Sequence, residues 1–464
     1  MGATGNLAQK YLWQSLRNIE AGGASIVVWP AATRANSQKL VDTILKDNVT
    51  YPNGKSDEER FLRVVAPYHR LAESQDYDAL NKDIDARNQG KKEVGRLVYL
   101  SVPPKFFGAI AKEINQLLRP RNSNAWLKVI VEKPFGVDLE SAEQLSKDLF
   151  ASLKNEEVLC VDHYMGKDGV RGIREFRKGN PDYMTRTLIK QIEKVEIQMV
   201  ETEDCKGRTS FYDEVGVIRD TMQNHLMMML SLFTMSNDPK EDEFQRRAAV
   251  VQELEPMQSV EFIQALGQYE DYNLHIAQDY EEYYHKKMDK APSSTTPTYA
   301  RVGLRFRSSS DFRRIHFIMT SGKALPKRRA FLRAVLFGGK EALTFNVQGE
   351  LENLSGGPSI KEASIHATEG LAPFIACPPG WTKVGPRQCD APKKSPNAYQ
   401  VMLSDALHGR FDSFVTIPEV IEAWRVWTPL LRLPPSSVKL LKYRPGGQGL
   451  DDPLNGGTLG REEL

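Results

Sequence analysis

The run Arg96-Leu-Val-Tyr-Leu-Ser-Val102, stopped by Pro103-Pro104, decides the fold. It is a short apolar strand with a hard stop, and the residues after it, 105–118, take helical spacing. The pattern then repeats. Trp126-Leu-Lys-Val-Ile-Val131 reads as a buried strand ended at Pro134, residues 141–153 as a helix, and 158–161 as a further short strand. Upstream, residues 7–19, 39–45 and 57–65 read as helices and 25–29 as a strand. Strands alternating with helices predict a parallel, doubly wound α/β sheet.

From about residue 195 the style changes. Segments 195–200, 301–306, 316–319 and 343–348 are strand-like, and no regular helix separates the last three. Helices are expected at 220–233, 239–266 and near 397–406, and a loop-rich stretch at 356–396. This predicts an α+β second domain on a large antiparallel sheet. The expected division is 1–165, 166–445 and a polar tail, 446–464.

The bulk numbers exclude several classes. With 464 residues the chain can bury two or three cores, and 41% hydrophobic and 26% charged residues are ordinary for a globular protein. A net charge of +2 from 62 basic and 60 acidic residues predicts no nucleic-acid partner. No apolar run approaches the roughly 20 residues of a membrane span, and the glycines and Asn6 directly after Met1 predict no signal peptide. Cys160, Cys205, Cys377 and Cys389 form no CxxC pair, so no metal is expected. Cys377 and Cys389 share a Pro/Gly-rich loop. A bridge would suit an oxidising compartment, but two free thiols are the expectation, because a bridge demands specific geometry. The terminal Arg461-Glu-Glu-Leu464 is a degenerate form of a KDEL-type retention address.

Four clusters carry chemistry. Gly2-Ala3-Thr4-Gly5-Asn6-Leu7 and Gln9 open the chain ahead of a helix; glycines there let a backbone approach a pyrophosphate. Glu132-Lys133-Pro134-Phe135-Gly136 and Asp162-His163-Tyr164-Met165-Gly166-Lys167 both follow strands, where such sheets bind ligands. His163, Tyr164 and Lys167 suit a phosphate monoester. Asp213-Glu-Val-Gly-Val-Ile-Arg-Asp-Thr-Met-Gln-Asn-His225 packs acids, an arginine and a histidine around an apolar core, and His225 is a candidate general base. On an α-helix Asp220 would stand about 140° from His225, on another face. The bland alternatives are a flexible terminus, surface turns and a satisfied core histidine.

In this order GATGNLAQK, YLSVPP, EKPFG, DHYMGK, YDEVGVIRDTMQNH, SGKALPKRRAFLR and EAWRVWTPLL resemble glucose-6-phosphate dehydrogenases over nearly the full length. GRLVYLSVPP, CKGRTSFY and ALHGRFDSF are most similar to the dehydrogenase half of the endoplasmic-reticulum bifunctional hexose-6-phosphate dehydrogenases. The resemblance implies oxidation of glucose 6-phosphate, or another hexose 6-phosphate, at C1 to a lactone with hydride passing to NADP. That is the first oxidative step of the pentose phosphate pathway. It implies His225 as base, Asp162 as its orienting carboxylate, and Lys133 touching both coenzyme and sugar. It implies His163, Tyr164 and Lys167 on the phosphate, and Glu201, Asp220, Lys323 and Arg328 around the sugar. Gly2 to Gln9 and Tyr99 would meet the coenzyme. A homodimer or homotetramer is implied, in the endoplasmic-reticulum lumen or, alternatively, the cytoplasm.

There are two departures. The family's 2′-phosphate arginine, just after the second strand, is replaced by Val28-Trp-Pro-Ala-Ala-Thr-Arg34, so use of NAD beside NADP is expected. The strand that should precede the glycine loop is missing, which predicts a truncated or alternatively started gene model, and no lactonase half is expected in this chain. The alternative reading is a non-catalytic fragment that keeps the substrate and dimerisation domain but binds coenzyme poorly.

Overall fold

The computed structural model describes residues 1–450 apart from 36, 89–94, 123, 182, 184–188, 239, 340–341, 355–358 and 448–449. Most of the expected tail 446–464, its Arg461–Leu464 address and Pro239 therefore lie outside the described residues. The chain forms two compact units. The first joins Met1–Lys167 to a returning stretch, Ser395–Ile421; the second holds Asp168–Lys394 and the described residues from Glu422 on.

The strands of the first unit pair in parallel. Strands β1 (Ala31–Ala32) and β2 (His69–Arg70) form one small sheet, and β3 (Gly95–Leu100), β4 (Trp126–Val131) and β5 (Val158–Cys160) form another in the order β3-β4-β5. Each β3–β5 strand is short, apolar and followed by Pro or a helix-starting turn, which is why the sequence pattern locates them. The expected strand at 25–29 does not form; only an isolated bridge, Val28 to Val65, remains. Met1 and Ala3 bond β1 and β3 and the residue after β3, not residues 25–29. Ala3 N donates to Ala31 O (3.1 Å), the Met1 ammonium to Tyr99 O (2.6 Å), and Ser101 N to Met1 O (3.2 Å). So few partners cannot close a ladder. Burial pushes the Met1 ammonium down to about 5.

Helices cover this sheet with one apolar cluster. Trp13, Ile19, Val41, Ile44 and Phe61 meet Ile130 and Leu159 of the strands. The returning stretch completes it, since Met402, Leu403, Ala406 and Phe414 belong to the same cluster and Cys160 pairs with Val415. The helix Ala398–Leu407 starts at Asn397, whose side chain accepts from Gln400 N.

The second unit is built on ten strands: β6 (Ile192–Val200), β7 (Ile263–Tyr269), β8 (Tyr299–Leu304), β9 (His316–Gly322), β10 (Arg329–Leu336), β11 (Ala342–Gln348), β12 (Ser364–Ala367), β13 (Thr382–Gly385), β14 (Gln388–Asp390) and β15 (Leu440–Tyr443). Their order is β13-β14-β12-β11-β10-β6-β9-β8-β7-β15. Pairing is antiparallel except at β6–β9 and β7–β15. The expected helix at 239–266 is only Glu243–Gln252; Pro256 cannot continue a helix, and the chain leaves as strand β7.

The expected loop at 356–396 contributes three strands, too short and too punctuated by Pro and Gly to show periodicity. Here the two-free-thiol expectation is overturned: Cys377 and Cys389 are bridged, with Cα atoms 5.7 Å apart. The bridged loop grips the helix Asp168–Gly179. Asn180 Oδ1 accepts from Ile375 N (2.7 Å), its Nδ2 donates to Ala376 O (2.8 Å), and Gly172 leaves room for the Trp381 ring, 2.7 Å from where a Cβ would stand. The bridge closes 12 residues. Cys377→Ser is expected to cost this unit up to about 3 kcal/mol, the chain-entropy value for such a loop. Thermal melts with and without reductant measure this, and identical melts would remove the bridge from the stability of the unit.

Candidate active site

In the first unit the expected residues gather at the carboxyl ends of β3, β4 and β5. The glycine turn comes first. Gly2 has a φ of 80°, and a Cβ there would meet the Ser101 carbonyl oxygen at 2.2 Å, so only glycine fits. Gly5 N closes the turn on Gly2 O (2.9 Å), and Gln9 Nε2 and Trp13 Nε1 donate to Thr4 O (2.8 Å) and Ala3 O (3.0 Å). The turn then runs into the helical residues 8–21. Bare backbone followed by a helix N-terminus is the donor set a pyrophosphate takes, so the residues present fit a dinucleotide.

Tyr99, on β3, donates its hydroxyl to Glu132, just past β4. Burial lifts the phenol well above its usual range, and Glu132 adds to this. The Glu132 carboxyl is also raised by burial, against the pull of Tyr99 and of Lys133 beside it. Past β5, the buried Asp162 carboxylate accepts from Tyr164 N (2.9 Å) and caps the 3-10 turn His163–Gly166. Tyr164 is buried, and the Lys167 ammonium lies 3.9 Å from its ring centroid. His163 is stacked on Tyr399 at 6.1 Å, and Tyr399 in turn on Tyr11 at 5.2 Å. Tyr399 is a site residue that spacing could not find, because it arrives with the returning helix.

In the second unit the site grows from two adjacent parallel strands. Val200 and Gly322 are register partners at the ends of β6 and β9, and Glu201 and Lys323 come next on each. Lys323 is 4% exposed. Its ammonium bonds Glu201 and lies 2.9 Å from Asp220. Burial opposes the charge on Lys323, but Asp220 and Glu201 outweigh it and its pKa is raised. Arg328 stands apart from this cluster in exposure: it is half-exposed and pairs with Glu203 (3.7 Å).

Asp220 and His225 share the segment Ile218–Leu226, and this segment is a π-helix. The expected 140° separation assumed an α-helix. With bonds from i to i+5, residues five apart stand one turn apart on the same face. The helix is anchored by Thr221, whose hydroxyl bonds Val217 O (2.9 Å) and Ser321 Oγ (2.8 Å) on β9. His225 is 2% exposed. The unit therefore presents a buried imidazole, a carboxylate on the same helix face, and a lysine held by that carboxylate. Such a set can bind sugar hydroxyls and take a proton.

Two family models match. The glucose-6-phosphate dehydrogenase NAD binding domain matches residues 1–172, and the C-terminal domain of the same family residues 175–354. The human GDH/6PGL endoplasmic bifunctional protein is 34% identical over 477 residues, covering 93% of this chain. The chain spans only 58% of that relative's length. The Arabidopsis thaliana cytoplasmic glucose-6-phosphate 1-dehydrogenase 6 is 29% identical, covering 97% of this chain and 88% of its own. Among solved structures, a glucose-6-phosphate dehydrogenase in complex with its substrate glucose-6-phosphate has a TM-score of 0.79 at 24% identity, covering 98% of this chain and 95% of its own. The Mycobacterium avium glucose-6-phosphate 1-dehydrogenase follows at 0.73 and 23%, covering 97% and 94%. At these identities the likeness is one of fold: a parallel first unit and a large, mostly antiparallel sheet in the second. Among the described residues no helix is long and apolar enough to cross a membrane.

Proposed function

Since the chain belongs to the glucose-6-phosphate dehydrogenase family, we propose that it oxidises glucose 6-phosphate at C1 to the lactone. The observation that carries this is the Lys323–Glu201–Asp220 cluster, whose Asp220 shares a helix with the buried His225. His225 takes the proton of the C1 hydroxyl, with Asp162 as the carboxylate that steadies the imidazolium. Glu201, Asp220 and Lys323 hold the sugar hydroxyls, with Arg328 beside them. His163, Tyr164 and Lys167 hold the phosphate, a remote group whose binding energy fixes the reacting carbon. Gly2 through Gln9, with Tyr99 and Lys133, would hold the coenzyme, which when bound supplies the nicotinamide that accepts hydride. No metal enters this reading, and a homodimer or homotetramer is part of it.

NADP is the preferred coenzyme in this proposal, with NAD as a second. Arg34, just beyond β1, is exposed and has no ion pair among the described residues, whereas Arg70 on β2 is engaged by Glu73 and Asp76. A free guanidinium suits the 2′-phosphate. Arg34→Ala is expected to raise the KM for NADP about tenfold, the worth of one charge-assisted hydrogen bond, and to spare that for NAD. Equal effects on both coenzymes would remove Arg34 from this role. The Cys377–Cys389 bridge supports an oxidising compartment, the endoplasmic-reticulum lumen, over the cytoplasm.

Coenzyme reduction by purified protein tests the reading. Absorbance at the reduced nicotinamide band should rise with glucose 6-phosphate and either coenzyme. No reduction with any hexose 6-phosphate would refute it.

A further inference from the structure

We propose that the C-terminal strand β15 is a positioning element of the sugar site. The Tyr443 hydroxyl, with the Gly446 amide behind it, holds the Lys323–Ala324 turn in the shape that delivers Lys323 to Glu201 and Asp220. The inference rests on the reading of Lys323 as a sugar contact. β15 lies beyond residue 354, where the family match ends.

The turn needs outside help. Ala324 has a φ of 52°, a left-handed conformation that an alanine keeps only where its surroundings over-determine it. Three directions supply the restraint. From the end of β6, Glu203 O accepts from Ala324 N and Glu201 O from Leu325 N, both at 2.9 Å. From the approach to β8, Thr298 O accepts from Lys323 N at 2.9 Å. From the C-terminus, the Tyr443 hydroxyl donates to Lys323 O at 2.8 Å and Gly446 N donates to Ala324 O at 2.8 Å.

The tyrosine is itself held. Its hydroxyl bonds Thr298 Oγ1 at 2.8 Å, and that oxygen accepts from Tyr269 N at 3.0 Å. Its ring meets those of Tyr269 and Tyr299 edge-on, and it is 4% exposed. β15 runs parallel to β7 with Tyr443 opposite Tyr269, so strand register sets the height of the hydroxyl. A buried carbonyl that loses its donor must move or stay unpaired. For Lys323 O, movement rotates the residue whose ammonium binds the two carboxylates.

The test compares Tyr443→Phe with Tyr269→Phe, which removes a hydroxyl from the same cluster that bonds Cys205 N and His275 instead. Reductive methylation with formaldehyde and borane, read by peptide mass spectrometry, reports the burial of each lysine amine. Lys323 should methylate at least about threefold faster in Tyr443→Phe than in the native chain and at the native rate in Tyr269→Phe, as expected if one hydrogen bond is lost. With glucose 6-phosphate, the KM should rise about tenfold in Tyr443→Phe with kcat within about twofold, the signature of binding lost equally from the ground and transition states. Thr298→Val, which removes the hydroxyl that holds the Tyr443 hydroxyl in place, should move both readouts in the same direction by less and serves if Tyr443→Phe folds poorly. Native-rate methylation of Lys323 in these variants, or equal acceleration in Tyr269→Phe, overturns the proposal. Failure of the native chain to turn over any hexose 6-phosphate would instead refute the functional reading, and the methylation comparison would still decide the role of β15.

Discussion

His225→Asn is expected to bind glucose 6-phosphate with near-native affinity and to turn it over at least roughly 10³-fold more slowly. Asparagine keeps a polar side chain of similar reach, so the buried space around His225 is not emptied. It has no basic nitrogen, so the C1 hydroxyl loses its proton acceptor while Lys323, Glu201 and Asp220 keep their bonds. The loss should therefore fall on kcat, with the dissociation constant for the sugar, measured by calorimetry, almost unmoved. Because Asp220 shares the π-helical face, one rescue is conceivable in advance: Asp220 could take the proton instead. Residual turnover that titrates as a carboxylate would point to that route. Turnover near the native level would end the assignment of His225 as base.

Lys167→Ala is expected to raise the KM for glucose 6-phosphate about 10- to 100-fold, since hydrogen bonds to charged groups are worth roughly 1.5–3 kcal/mol. The side chain is preorganised over the Tyr164 ring, and the turn beneath it is capped by Asp162. Little of its affinity is thus spent on ordering. Inorganic phosphate should inhibit the native chain competitively and lose that effect in the variant. An unchanged KM would place the phosphate elsewhere. Because Lys167 meets a part of the sugar that does not react, kcat should fall less than in His225→Asn.

What the sequence shows and what it hides follow from the range of the interactions. The ends of β3, β4 and β5 are legible because a strand, its stop and the polar residues after it are neighbours in the chain. The same holds for the Gly2–Gly5 turn. The relation of Asp220 to His225 is misread because a periodicity of 3.6 is assumed where the backbone bonds from i to i+5, and no residue type announces that change. The strand at 25–29 is misread because apolar character alone cannot supply a ladder partner. Tyr399, Thr298 and Tyr443 are invisible for a third reason: each acts on a residue far away in sequence, through an aromatic face or a hydroxyl that any tyrosine or threonine carries. The Cys377–Cys389 bridge sits at the margin, because its spacing permits both states and only the hairpin of β13 and β14 brings the two together.

The return of Ser395–Ile421 to the first unit has a consequence for how the protein is made. On a ribosome the amino-terminal unit is the first to emerge, yet Met402, Leu403, Ala406 and Phe414 of its core are still untranslated. At ordinary elongation rates of about 5–20 residues per second, its apolar surface waits tens of seconds for them. During that interval the surfaces of residues 8–21 and of the turn His163–Gly166 that the helix Ala398–Leu407 covers face solvent or a chaperone. The two units interleave in sequence, so Asp168–Lys394 must begin to fold without trapping the stretch Ser395–Ile421, and itself waits for β15.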